Sequence, residues 1–109
     1  MGLGPVAAIK KLRQHTGAPG RFRLKNMDLI EVNEAFAAQT LACQHDLSIP
    51  SDKLNVNGGA IALGHPLAAS GARLVLSLAK ELNHRDSEDG VATLCVGGGQ
   101  GGAIWIKNV

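Results

Sequence analysis

Asp28-Leu-Ile-Glu-Val-Asn-Glu-Ala-Phe-Ala-Ala-Gln-Thr-Leu-Ala-Cys43 contains the change of period that decides the fold. Residues 28–32 form a short, mainly apolar run that reads as a buried strand. Asn33 is a good helix N-cap and Glu34 suits a first turn. Ala35, Phe36, Ala38, Thr40, Ala42 and Cys43 then continue as a helix. A strand feeding directly into a helix is half of an α/β unit.

The flanking segments extend this pattern. Upstream, Pro5 suits a first helical turn, and Val6, Ile9 and Leu12 recur at helical spacing until Gly17 stops them. A loop over 17–27 separates that helix from the strand. Downstream, Pro50 and Ser51 mark a turn, and 54–56 reads as a second short strand. A glycine-rich stretch follows, Gly58-Gly-Ala-Ile-Ala-Leu-Gly-His-Pro66. Ala68, Ala72, Val75, Ala79 and Leu82, with Leu67, Leu74 and Leu78 beside them, then predict a helix over 66–84. Gly90 ends a charged loop, 91–96 is a strand, a glycine cluster spans 97–102, and 103–106 is a last strand. The order α-β-α-β-α-β-β implies an α/β fold with a mixed sheet, mostly parallel with an antiparallel hairpin at its end. The series opens on a helix, so a first strand is expected to be missing. There is no internal repeat and no low-complexity linker.

Composition narrows the function classes. The 109 residues suit one domain, with 45% hydrophobic residues and 14 glycines. Eleven basic and nine acidic residues are dispersed along the chain, for a net charge of +2. The densest basic stretch, Arg21, Arg23 and Lys25, has only Phe22 as a stacking ring. It reads as a solvated loop, with no nucleic-acid partner expected. No apolar run approaches the roughly 20 residues that cross a bilayer, so no membrane partner is expected either. The N-terminus lacks the pattern of a secretory signal. Cys43 and Cys95 are read as free thiols of a reducing compartment, cytoplasmic or mitochondrial, and the chain carries no metal-ligand spacing.

Residues 97–102 satisfy the glycine pattern of a dinucleotide fingerprint, but a strand rather than a helix follows them. Residues 59–64 match the glycines of a phosphate loop, but His65-Pro66 replaces the lysine and hydroxyl residue. Nucleotide binding is set aside on both counts. His65 stands at a helix start, where the dipole disfavours an imidazolium, and a neutral ring can take a proton from a nucleophile. Cys95 ends a strand beside a glycine turn whose N–H groups could hold an oxyanion. Taken singly, each has a plainer reading: His65 as a cap or packed core histidine, Cys95 as a small buried hydrophobe, Asn33 as an N-cap. Cys43 is assigned to the core, and His15, His45 and His84 to the surface.

Three segments, taken together, carry more. Asn33-Glu-Ala-Phe36, Asn55-Val-Asn-Gly-Gly-Ala-Ile-Ala-Leu-Gly-His-Pro66 with Ser70-Gly71, and Cys95-Val-Gly-Gly-Gly-Gln-Gly101 resemble the C-terminal part of the thiolases. These are the acetyl-CoA acetyltransferases and 3-ketoacyl-CoA thiolases. The resemblance spans 1–109 as one incomplete C-terminal domain with the layered fold of that family. It implies acyl transfer between acyl-CoA and acetyl-CoA by Claisen condensation or thiolytic cleavage, with CoA thioesters as substrates and no cofactor. Carried over residue by residue, His65 activates the nucleophilic cysteine and then helps hold the thioester oxygen. Cys95 is the acid/base cysteine, Asn33 positions an oxyanion-hole water, and the Gly97 N–H serves the second oxyanion hole. Glycines around His65 are expected to clear space for the thioester.

The departures are equally specific. No segment here matches the nucleophilic cysteine of the family, and the CoA-binding loop also lies upstream of the matched part. Ala68 stands where the family usually has glycine. The chain is therefore expected to need an N-terminal thiolase half, to be inactive alone, and to form a homo-oligomer when complete. The alternative is a non-catalytic acyl-CoA-binding or interaction module derived from a thiolase half.

Overall fold

The computed structural model describes residues 2–16 and 20–109. Its elements are α1 (Gly4–His15), β1 (Leu29–Val32), α2 (Ala37–Leu47), α3 (Ala60–Leu63), α4 (Leu67–His84), β2 (Asp89–Val96) and β3 (Gln100–Lys107). Short 3-10 turns occupy Leu24–Asn26 and Gly97–Gly99. The strands form one mixed sheet in the order β1-β2-β3. β1 runs parallel to β2, with Val32 opposite Thr93, and β2 runs antiparallel to β3, with Cys95 opposite Gly101. The α/β class and mixed sheet are those implied by the sequence.

Alternation along the strands gives the sheet two apolar faces. Ile30, Val32 and Val91 join Val6, Ile9, Phe22, Met27, Cys43 and Ile49 on one side. Leu29 and Ala92 meet Leu74, Leu78 and Leu82 on the other. The sheet therefore lies between α1 and α2 on one face and α4 on the other. Phe22 belongs to the first core, 5.7 Å from Trp105 in an edge-to-face pair, while Arg21, Arg23 and Lys25 are exposed. A ring so placed cannot stack on a base.

Several local expectations are corrected. Asn33 is not an N-cap, because α2 begins at Ala37. Its backbone N–H extends the parallel ladder to Thr93 O (2.9 Å), and Gln39 Oε1 instead accepts the Phe36 N–H (3.4 Å) at the helix start. Ala35 and Phe36 accordingly precede the helix. Residues 54–56 are not a strand. They contribute a single bridge, Leu54 to Ile30, because Asn55 turns to φ +45°. The Asn55 side chain takes over the pairing: its Oδ1 accepts the Val32 N–H and its Nδ2 donates to Val32 O, both at 2.9 Å. The observed order is thus α-β-α-α-α-β-β, with α3 forming inside the glycine stretch.

In α4 the buried row is Ser70, Leu74, Leu78 and Leu82, an i, i+4 series; Ala68, Ala72, Ala79 and Leu67 are exposed. Gly90 lies within β2, where a Cβ would meet Leu78 Cδ1 at 2.7 Å and Leu82 Cδ1 at 2.9 Å. β3 begins at Gln100, so half of the glycine cluster is strand. The proposed stop at Gly17 lies outside the described residues. Among the described residues no helix is long and apolar enough to cross a membrane.

Candidate active site

The carboxyl ends of a parallel strand pair are where α/β sheets commonly place ligands, and three segments converge there. β1 delivers Asn33 one residue past its end. β2 delivers Cys95 near its end and Gly97 in the turn that follows. The loop between α3 and α4 delivers His65, held between Gly64 at φ +94° and Pro66, the N-cap of α4. Such a φ is open to glycine at little cost.

Asn33 and His65 are in contact. Asn33 Nδ2 donates to His65 Nε2 (3.3 Å), so Nε2 is the acceptor and Nδ1 carries the ring proton. His65 Nδ1 donates to Ser70 Oγ (2.6 Å), and Ser70 Oγ donates to Pro66 O (3.2 Å). These contacts are those of the Nδ1–H tautomer, with the Nε2 lone pair turned to Asn33. Asn33 is fully buried, and its Oδ1 has no hydrogen-bond partner among the described residues. A buried acceptor without a partner suits a site that receives a water or a substrate group.

Cys95 is buried, a free thiol, and makes no side-chain hydrogen bond among the described residues. Gly97 is exposed, and the place of its missing Cβ is open. The structure thus joins Asn33 to His65, and sets Cys95 and Gly97 at the same end of the sheet without a hydrogen bond to either side chain. Cys43 is fully buried in the core. Its Sγ donates to Gly2 O (3.2 Å) and accepts from Gln39 Nε2 (3.7 Å). Burial pushes this thiol up from its usual range, and the neighbouring Cys95 and Asp46 charges add to that. The hydrogen bonds from Gln39 and the Val6 backbone oppose it. A thiol kept protonated in this way is a poor nucleophile. His15, His45 and His84 are exposed, as is Ala68.

Four polar residues around the site were given no part in it from sequence. Ser70 fixes the His65 tautomer. Its five-residue spacing from the histidine, on the first turn and a half of a helix, is the signal that could have found it. Glu34 binds the glycine loop at the Ile61 N–H, Asn55 binds Glu34 and the Val32 backbone, and Glu31 is a buried carboxyl two residues before Asn33. The glycines here differ in what surrounds them, with open space at Gly58 and Gly64 and a close neighbour at Gly59. Gly58 and Gly64 serve positive φ values of 79° and 94°, while Gly59 is pressed against the Glu34 carboxyl. Among the described residues no group of three His, Cys, Asp or Glu could hold a metal ion.

The chain is thus a mixed α/β sheet with Asn33, His65 and Cys95 gathered at one strand end. Comparison with known proteins gives the family: residues 1–108 match the family model described as Thiolase, C-terminal domain, and the chain belongs to that family. It is 53% identical over 109 residues to an acetyl-CoA acetyltransferase of Escherichia coli K12, covering 100% of this chain and 27% of that protein. It is also 53% identical over 108 residues to a mitochondrial 3-ketoacyl-CoA thiolase of Bos taurus, covering 99% and 26%. Among solved structures, human mitochondrial 3-ketoacyl-CoA thiolase in complex with CoA superposes with a TM-score of 0.92 at 49% identity, covering 99% and 26%. The chain therefore spans about a quarter of the length of the curated relatives it matches.

Proposed function

We propose that this chain supplies the acid–base cysteine and the oxyanion-hole residues of a thiolase acting on acyl-CoA and acetyl-CoA. The observation that carries the reading is the Asn33–His65 contact at the end of β1, the strand paired with the one that bears Cys95.

The chemistry follows from those groups. His65 Nε2 takes the thiol proton of a nucleophilic cysteine, whose sulfur attacks the acyl-CoA carbonyl. That cysteine comes from outside these 109 residues, since Cys95 has the other role and Cys43 is sealed in the core. The CoA thiolate leaves with the Cys95 proton, and the acyl group rests on the nucleophile with its oxygen facing the Gly97 N–H. The Cys95 thiolate then removes the α-proton of acetyl-CoA. His65 Nε2–H and a water held by Asn33 stabilise the enolate oxygen, at about 3–4 kcal/mol per well-aimed donor. The enolate carbon attacks the acyl carbonyl, the nucleophilic thiolate leaves, and a 3-ketoacyl-CoA is released. Thiolysis runs the same steps backwards. No cofactor enters. The partner is an N-terminal thiolase half, and the complete enzyme is a homo-oligomer.

The test combines the chain with a segment carrying the nucleophilic cysteine and measures acetyl-CoA released from a 3-ketoacyl-CoA. Neither piece alone should turn over, the pair should, and Cys95→Ser should abolish turnover in the pair. Undiminished activity of Cys95→Ser would sink the reading. Acyl-CoA binding by the chain, with no turnover in any combination, would favour the binding-module alternative.

A further inference from the structure

Residue 34 stands beside the site but has no part in the chemistry above. Its carboxylate is engaged at both oxygens. Glu34 Oε2 accepts the Ile61 N–H (2.9 Å) at the start of α3, and Oε1 accepts from Asn55 Nδ2 (3.3 Å). Asn55 is itself locked to both backbone groups of Val32. Gly59 completes the cradle, since a Cβ there would lie 2.5 Å from Glu34 Cδ and 2.5 Å from Oε2. The N-cap position of α3 has no side-chain cap of its own, so Glu34 reaches in from another loop to do that work.

The chain order makes this arrangement specific. Asn33 and Glu34 are adjacent, and together they hold both ends of one short segment. Glu34 holds residues 59–61 where α3 begins, and Asn33 holds His65 just after α3 ends. Between these holds lie two helical residues, Ala62 and Leu63, and one glycine at positive φ, a span with few internal degrees of freedom. Its far end cannot stay in register with Asn33 if its near end moves. We propose that Glu34 is the positioning residue for the His65 imidazole: by anchoring the start of α3 it sets the ring where Nε2 meets Asn33 and Nδ1 meets Ser70. This rests on the thiolase reading only in what the positioned ring is for.

The test begins with the ring itself. Nitrogen NMR of isotope-labelled chain distinguishes a histidine protonated at Nδ1 from one protonated at Nε2. The wild-type chain should show His65 as the Nδ1–H tautomer. Glu34→Ala should raise the Nε2–H form to a comparable population. Gly59→Ala, which displaces the carboxylate while leaving Glu34 in the chain, should do the same, and the two effects should not add. Glu34→Gln keeps an acceptor for Ile61 but turns an amide NH2 donor toward the Asn55 Nδ2 donor, so it should fall between wild type and Ala. Leu78→Ala, in the core under α4, controls for lost stability and should leave the His65 signals unmoved. A wild-type ring spectrum in Glu34→Ala would overturn the proposal, as would an equal change in Leu78→Ala.

In the reconstituted enzyme, Glu34→Ala should lower kcat by about tenfold to a hundredfold, the scale of a misplaced catalytic group. KM should change little, and Gln should restore part of the loss. Full turnover by His65→Ala would instead defeat the acyl-transfer reading, and the ring spectra would still decide the positioning claim independently.

Discussion

Glu31 lies in the middle of β1 with 4% of its surface exposed, facing Arg73 at 3.6 Å, and its Oε2 has no hydrogen-bond partner among the described residues. Burial raises this carboxyl from 4.5 to about 7, against the attraction of Arg73 and with smaller contributions from Glu34 and Glu81. The folded chain therefore holds a proton at pH values where the unfolded chain has released it. Stability should fall as pH rises from about 4.5 to about 7 and level off above that. The loss across the window should be about 3 kcal/mol from this residue. Glu31→Gln should flatten that slope and leave the chain more stable than wild type at neutral pH. Denaturant midpoints measured across the window check it, and an unchanged slope in the Gln variant would count against the assignment. The same residue shows what a sequence withholds. The run 28–32 reads as a buried strand, but only the packing of α4 over β1 shows that its glutamate is a buried acid facing Arg73.

At the scale of elements, α4 presses one row of leucines onto the sheet, and its energetics should be as one-sided as its burial. Leu78, at 1% exposure, should cost about 2–5 kcal/mol when cut to alanine. Leu76, at 57%, should change the unfolding free energy by no more than about 0.5 kcal/mol. Equal losses at both positions would mean that the helix packs through another face. The helix itself was legible from its period and its proline, because those depend on neighbours one turn away. Its inward face was not: alanines and leucines both repeat at helical spacing, and only the sheet decides which row it meets. The strand expected at 54–56 failed for a related reason. Its composition is strand-like, but Asn55 pairs with Val32 through its side chain, an arrangement that no alternation pattern encodes. The candidate site was legible as three short motifs in order, of which the structure brings Asn33 and His65 into contact. The residues that hold them, Ser70, Asn55 and Glu34, act through tertiary hydrogen bonds and left only weak traces along the chain.

The whole molecule is closed by α1 against β3 and left open along the outer side of β3. Gly4 and Gly101 meet backbone to backbone, and a Cβ on either would collide with the main chain of the other segment. No side-chain rotation relieves such a clash. Gly101→Ala should therefore push α1 off the sheet and cost at least about 1–3 kcal/mol, the range of an overpacked core, read as a lowered thermal midpoint. The open side has the opposite character. β3 pairs only with β2 among the described residues, so its other edge offers free backbone groups. Ile104 beside it is 47% exposed. A shallow apolar groove of about 280 Å³, lined by Leu74, Val75, Leu94 and Ile104 among others, runs next to that edge. Around the candidate site Phe36, Leu41, Ile61, Leu63 and Leu67 are each at least 60% exposed. An unpaired edge beside apolar surface is a template for pairing with another chain, and a lysine at such an edge is the usual deterrent. The 109-residue chain on its own should therefore self-associate as its concentration rises, and Ile104→Lys should reduce that association while leaving the thermal midpoint within a few degrees of wild type. Sedimentation velocity across a concentration series separates the outcomes. Association undiminished by Ile104→Lys would move the sticking surface from the β3 edge to the exposed side chains around His65.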